Sequence, residues 1–407
     1  MSVSNAVPSS ALSRVVGYAL EHRDLQTAAA VLPVRILVLS DLGSEITARP
    51  VKTKIINADK NKVAEALGAS ALGADVMEIL DNLNSAQFID VLPINSSLDD
   101  ASALESEIKN GLGDVWYNII VNPFGQNANV YQALQKINGY PDESGGMGRW
   151  NAIILKPFVA ISGTNSTSFT HLPSTDLTNI VGTAPKAFAG VSTISNEAAN
   201  ARIAASYALA AFRQFSTKPY LDIAGRHLEF IVPPTDLDIG AFETFDNRDS
   251  AAKNGISTVT IDRAAQAYVI QDFITGYRPQ EQSELAKSWR FVRDVFVDFN
   301  IAFNYNLLQT RRLLGKVIVS DTEIINADRR SDVVRLEVWR AEVLAFLERM
   351  VGMAYVTDLD FSRQNLLVEL SGTNPRRLNT QFAYKRTSVV GIASTTAYVG
   401  FSFGGIE

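Results

Sequence analysis

Three histidines are the residues best suited to proton transfer or metal binding, and they stand far apart, at His22, His171 and His227. A helical metal pair needs two ligands about one turn apart, and none of the three has a second histidine at that spacing. Each reads as an ordinary core or surface histidine. Carboxylates pair at Asp99 with Asp100, Asp246 with Asp249, and Asp358 with Asp360. In an alternating segment Asp358 and Asp360 point to one side and could hold a cation. A Mg²⁺ or Ca²⁺ site takes several oxygens, so a solvated turn is the simpler reading. The glycines of "GGMGRW" (145–150) follow no strand directly and precede what reads as a strand. A phosphate cradle needs the N–H groups of a helix N-terminus, so this too reads as a turn. "GVSTI", from Gly190, lacks the second glycine of a nucleophile elbow. With no cysteine there is neither disulfide nor thiol chemistry. No catalytic constellation assembles. An enzyme reading survives only as a soluble hydrolase with an unidentified carboxylate site.

Composition narrows the class further. The chain has 407 residues, 46% apolar and 20% charged, an ordinary globular balance with length enough for two domains. Its net charge of −6 argues against nucleic-acid binding by bulk electrostatics. The opening "MSVSNAVPSS" has neither a basic n-region nor an apolar core, so no secretory signal is expected.

The elements that would position any site come in two blocks. Val34 to Leu39 reads as a buried strand stopping at Asp41-Leu42-Gly43, followed by a helix broken near Gly68 and Gly73. "AQFIDVLPI", "DVWYNIIVNPF" and "RWNAIILKPFVAISG" read as strands, and "NANVYQALQKIN" as a short helix. The alternation from about 31 to 215 indicates an α/β or α+β domain. Ser195 is placed to cap an alanine-rich helix that suits close packing on a sheet. Loop-rich β structure follows to Pro279.

Beyond Pro279, Leu285, Trp289, Val292, Phe296, Phe299, Phe303 and Leu307 recur as one face of a long helix. Gly315 after Arg311 and Arg312 marks its end. A second helix, about 331–352, carries the stripe Leu336, Trp339, Val343, Phe346, Leu347 and Met350. Strand-like pieces, including "AYVTDLDF" and "NLLVELSG", complete a second domain, with the break near 280.

The two ends differ from both blocks. Residues 1–27 are polar and short, yet Val16, Tyr18 and Leu20 alternate as a brief strand would. At the other end Ala397, Val399, Phe401 and Phe403 share one face of an alternating segment. A terminal strand leaves an edge unpaired and is a template for another chain. Residues 387–406 also have the length of a membrane span, but they are rich in Ser, Thr and Gly and lack leucine, so the strand is favoured. Arg376, Arg377, Lys385 and Arg386 cluster in an otherwise acidic chain. Either they face an acidic partner surface or they keep an edge soluble.

Taken in order, "DNRDSAAKNGISTVTID", "AYVIQDFITGYRP", "WRFVRDVFVDFNIAFNYNLLQTRRLLG" and "NPRRLNTQFAYKRTSVVGIASTTAYVG" resemble the contractile tail sheath proteins of Mu-like phages and contractile bacteriocins. The resemblance spans about 185–407; the earlier residues match only in general layout. It implies an α+β, two-domain subunit with extended terminal β arms and no enzymatic activity, cofactor or metal. Residues 1–27 would be an N-terminal linking arm and 28–280 an outer α/β domain. Residues 281–386 would be an inner, tube-facing core, and 387–407 a C-terminal linking strand. Val16, Tyr18, Leu20, Val390, Ile392, Ala397, Val399, Phe401 and Phe403 would then complete small sheets in neighbouring subunits. Such β-augmentation, made head to tail, builds an open helical array. The partners implied are further copies in hexameric rings, a tail tube protein, and baseplate and terminator proteins. The resemblance implies no direct nucleic-acid contact and no membrane insertion. The particle would be a virion tail sheath assembled in the host cytoplasm.

Overall fold

The structure is a computed structural model that describes residues 30–43, 53–83, 88–125, 127–140, 146–163, 180–183, 196–231, 233, 245–276, 290–319, 332–374 and 376–390. His22, His171, Val16, Tyr18, Leu20, Ile392, Ala397, Val399, Phe401 and Phe403 lie outside the described residues.

Short apolar runs near the start of the chain build one parallel sheet. Its strands are β1 (Ile36–Ser40), β2 (Ile89–Pro93), β3 (Ile119–Asn122), β4 (Val159–Gly163), β5 (Ile180–Thr183) and β6 (Ile256–Ser257). They lie in the order β2-β1-β3-β4-β5-β6, and Ile36 of β1 stands opposite Ile89 on one side and Ile119 on the other. The first five follow the flavodoxin-like doubly wound order. This resolves the α/β or α+β alternative for the first block in favour of α/β.

Burial on both faces explains why these strands read as continuous apolar runs. Ile36, Val38, Val91, Val121 and Ile161 face one core, and Leu37, Leu39, Leu92, Ile120 and Ala160 the other. The first core is covered by α1 (Lys60–Leu67) and α2 (Leu72–Leu80); the second by α3 (Ala101–Leu112) and α4 (Ala128–Asn138). The alanine-rich α5 (Asn196–Phe215) returns to the first face, burying Ala201, Ala204, Ala205 and Ala208. Small residues let these helices approach closely. A Cβ at Gly73 would sit 2.6 Å from the Ser40 hydroxyl, so this glycine inside α2 serves contact with β1.

After α6 (Phe245–Lys253) and the hairpin β7 (Val259–Asp262) with β8 (Ala267–Ile270) comes α7 (Val292–Arg312). Its first half belongs to the sheet's core: Val292, Val295, Phe296 and Phe299 are buried there with Tyr207, Phe215 and Phe273. Its second half belongs to another. Tyr305 lies 5.5 Å from Phe346 and 4.9 Å from Phe382, ring centre to ring centre.

That further packing involves the parallel pair β9 (Val317–Val319) and β10 (Val333–Arg335) and α8 (Leu336–Gly352). Then come β11 (Val356–Thr357), α9 (Leu359–Gln364), β12 (Leu367–Leu370), β13 (Leu378–Gln381) and β14 (Lys385–Arg386). On α8 Trp339, Val343, Phe346, Leu347 and Met350 of the expected stripe are buried, and Leu336 is half-buried. The apolar packing therefore continues across residue 280, carried by α7. An outer and an inner part divided at 280 is a matter of how subunits sit in an assembly, taken up below as a proposal.

Two segments depart from the strands expected of them. In "RWNAIILK" the regular strand begins only at Val159; Ile153 is 94% exposed and Leu155 has a positive φ of 39°. Buried Arg149 pins this loop by donating to the carbonyls of Lys156 and Val115 at 2.9 and 2.8 Å. In "AYVTDLDF" the strand stops at Thr357, because Asp358 turns left-handed (φ 57°) and caps α9 through the Phe361 N–H.

Candidate assembly surface

Among the described residues, several positions where chemistry was conceivable have structural partners instead. His227 is half-exposed, 3.4 Å from Asp262. Asp100 caps α3 by accepting from Ser102 and Ala103, both at 3.0 Å. Asp249 pairs with Lys253 at 2.5 Å on α6. Asp360 pairs with Arg363 at 2.8 Å, so the supposed same-side pair Asp358/Asp360 is split between a helix cap and a helix surface. Among the described residues no three His, Asp or Glu side chains gather to hold a metal ion.

A doubly wound sheet binds ligands beyond the carboxyl ends of its strands, where the strand order reverses. Here that place adjoins β1. The Leu72 N–H donates to Asp41 at 2.7 Å and the Gly73 N–H to the Ser40 hydroxyl at 3.0 Å. The N-terminus of α2, the natural seat for a phosphate, is thus capped by the chain's own side chains.

A different surface stands out at the C-terminal side. β12 and β13 form an antiparallel two-stranded hairpin, Leu367 opposite Gln381 and Leu370 opposite Leu378. One face leans on α8, where the Trp339 indole N–H donates to the Thr380 hydroxyl at 2.9 Å. Among the described residues no third strand pairs with either edge. Leu367 and Leu370 are 51% and 41% exposed. An isolated hairpin with open edges and exposed leucines invites an added strand.

The four clustered cations divide between two places. Arg376 and Arg377 are exposed in the turn between β12 and β13, Arg377 donating to Asn379 at 2.8 Å. Lys385 and Arg386 form β14, which pairs with β11. Lys385 reaches Asp358 at 2.5 Å and lies 4.5 Å from the centre of the Phe361 ring. Its ammonium, with the Phe361 N–H, holds the Asp358 carboxyl below the usual carboxylate range. Arg386 pairs at 2.9 Å with Asp298 of α7, both side chains largely buried. The Tyr384 hydroxyl donates to the other Asp298 oxygen at 3.0 Å. Periodicity could not show that Asp298 and Arg293, on the polar side of α7, would hold the C-terminal segment.

Burial outweighs these partners and raises the Asp298 carboxyl to about 6. A carboxyl raised on folding contributes stability below its unfolded pKa and loses it as pH rises through the folded one. Going from pH 7 to pH 5 should therefore stabilise the wild type relative to Asp298→Asn by about 1 kcal/mol. Denaturant melts of both proteins at the two pH values check this. A difference of the opposite sign would mean that the Arg386 pair dominates.

No protein-family model matches the sequence, and no curated protein matches it. Solved structures do. A chain of the anti-feeding prophage baseplate superposes with a TM-score of 0.60 at 10% identity, over 96% of this chain and all of the other. The sheath of an extracellular contractile injection system in its contracted state gives 0.55 at 10% identity, over 96% of this chain and 98% of that one. A sheath tail protein of Listeria innocua gives 0.53 at 12% identity, over 89% and 94%. At these identities the shared property is the fold.

Proposed function

We propose that this chain, which has the fold of tail sheath proteins from contractile injection systems, is the structural subunit of a contractile tail sheath. One observation carries the reading: the likeness to a contracted sheath runs over almost the full length of both chains, 96% and 98%. A shared fold alone hosts many functions. The self-capped α2 and the hairpin with open edges both favour assembly over catalysis.

On this reading the subunits stack as hexameric rings around a tail tube, between a baseplate and a terminator. Contraction of the array drives the tube through a host envelope. The energy lies in subunit packing, so no cofactor or enzymatic step is involved. The β12–β13 hairpin is the acceptor. Its added strands come from neighbours: the segment with Val16, Tyr18 and Leu20, and the segment from Val390 and Ile392 through Ala397, Val399, Phe401 and Phe403. Main-chain bonds supply the strength of such an added strand and alternate side chains its register. Residues 281–386 face the tube and 28–280 face outward, the first half of α7 packing against the sheet of the outer part. Among the described residues no helix is long and apolar enough to cross a membrane. The particle is a virion tail or a related injection device, put together in the producing cell's cytoplasm.

Negative-stain microscopy of the purified protein tests the proposal: tubes or stacked rings are expected. A monodisperse particle under all assembly conditions, with hydrolase activity lost on mutating a carboxylate, would favour the enzyme reading.

The division of the four cations gives a sharper test. Arg376→Gln with Arg377→Gln should weaken sheath–tube co-sedimentation and its salt dependence while leaving the subunit's melt unchanged. Each exposed pair is worth only about 0–1 kcal/mol, so the effect comes from repetition along the lattice. Lys385→Gln with Arg386→Gln should instead lower the melt, since Arg386 neutralises buried Asp298. The reverse pattern would remove the two turn arginines from the interface.

A further inference from the structure

One helix holds the chain near both ends of the described residues, at Leu32 and at Thr387. On the N-terminal side the buried Leu32 N–H donates to Asn300 Oδ1 at 2.8 Å. Asn300 is itself fixed, its amide donating to the Phe296 carbonyl at 2.8 Å. On the C-terminal side Arg293, 3% exposed, uses its whole guanidinium. Nε donates to the Tyr220 carbonyl at 2.8 Å and one terminal nitrogen to Asp294 at 2.7 Å. That nitrogen also donates to the Thr387 carbonyl, and the other reaches the Thr387 hydroxyl at 2.6 Å.

Thr387 is thereby bonded at every polar atom. Its hydroxyl donates to the Ala354 carbonyl at 2.6 Å and its N–H to the Tyr355 carbonyl at 3.2 Å. One residue earlier, Arg386 is tied to Asp298. Immediately beyond, the chain is exposed, with Val389 at 47% and Val390 at 83%. Arg293, Asp298 and Asn300 occupy two turns of α7, about 10 Å along its axis. Leu32 and Thr387 are therefore held by neighbouring turns of the same helix, although almost the whole chain separates them in sequence.

The helix suits that task. Its first half is wedged into the sheet's core by Phe296 and Phe299, and its second half into the α8 core by Tyr305. A planar, always-charged guanidinium makes several directed bonds at small entropic cost.

We infer that α7 is the common anchor of the two linking segments, with Arg293 and Asn300 as its positioning residues. A pull applied to one segment by a neighbouring subunit passes to the other through two turns of this helix, without loading the parallel sheet. The sheath reading supplies what pulls; the anchor belongs to the single subunit and is tested there.

The chain has no cysteine, so Ala30→Cys and Ser388→Cys give the full-length protein its only two thiols. Handles attached there allow the subunit to be stretched in an optical trap at constant force. The first event should release only short stretches of chain at the two ends, with the sheet intact. Thr387→Val, nearly isosteric, removes the hydroxyl's bonds and should shorten the lifetime before that event at least about tenfold, with an unchanged thermal melt. Asn300→Ala should act in the same direction; if it fails to fold, Thr387→Val decides alone. A first event that unravels the sheet, at a lifetime unaffected by Thr387→Val, would overturn the inference. Wild-type protein that forms tubes but shows no anchor effect removes this inference alone. Wild-type protein that shows the anchor but never forms tubes removes the sheath reading alone.

Discussion

A chain ending at Thr387 should fold as the wild type does and form no tubes at any concentration at which the wild type polymerises. The cut suits the structure. Thr387 keeps all its bonds to Arg293, Ala354 and Tyr355, and Ser388, Val389 and Val390 are exposed, so among the described residues the cut removes no buried side chain. What is lost is the segment proposed as the donor, with Ala397, Val399, Phe401 and Phe403. A strand added to an open edge makes several main-chain hydrogen bonds at roughly 1 kcal/mol net each, besides the burial of its alternate side chains. A polymer repeats that loss at every subunit. Sedimentation and negative-stain microscopy of the truncated and full-length proteins, with circular dichroism as the fold control, give the outcome. Tubes from the truncated chain would move the linking role away from residues 388–407.

The sheet and the two long helices were legible because their burial leaves a periodic trace. β1 to β4 are covered on both faces and read as unbroken apolar runs, while α7 and α8 each show an apolar stripe at helical spacing. The stripe of α7 did not tell its two partners apart. Phe296 and Phe299 join the sheet's core, whereas Tyr305 packs toward α8. Periodicity says which face of a helix is buried and nothing about what buries it. "RWNAIILK" failed for a related reason: its apolar residues imitate a strand, but Arg149 binds surrounding carbonyls and leaves Ile153 in solvent.

The candidate surface was only half legible. A cation cluster can be counted in sequence, but its division cannot. Arg386 is buried against Asp298, 88 residues earlier, while Arg376 and Arg377 remain exposed in a turn. Asn300 gave no signal at all. A polar residue on a helix is unremarkable until the Leu32 N–H is seen to need it.

Phe296→Ala should be a strongly destabilising truncation, because this ring sits where α5 and α7 meet. Phe296 is fully buried and stacks on Phe215 with ring centres 4.3 Å apart and planes 18° apart. It also lies 5.4 Å from Phe299. Phe215 in turn stacks on Phe273 at 6.4 Å, and Phe273 on Tyr207 at 5.8 Å. Rings held from several sides cannot close in on the space left behind, so both the transfer and the cavity costs apply. Together these reach about 3–5 kcal/mol, a large share of the roughly 5–15 kcal/mol that holds a domain folded. Urea unfolding should show that loss as a lower midpoint with an unchanged slope. Phe303, only partly buried on the same helix, should cost clearly less on truncation. The ring also packs the turn of α7 whose main-chain carbonyl at 296 accepts from Asn300, so loosening that turn should release Leu32 before global unfolding, as faster amide exchange at Leu32 would show. A loss under about 1 kcal/mol, or exchange at Leu32 no faster than in the wild type, would mean that α7 is not the member joining the sheet to the ends of the chain.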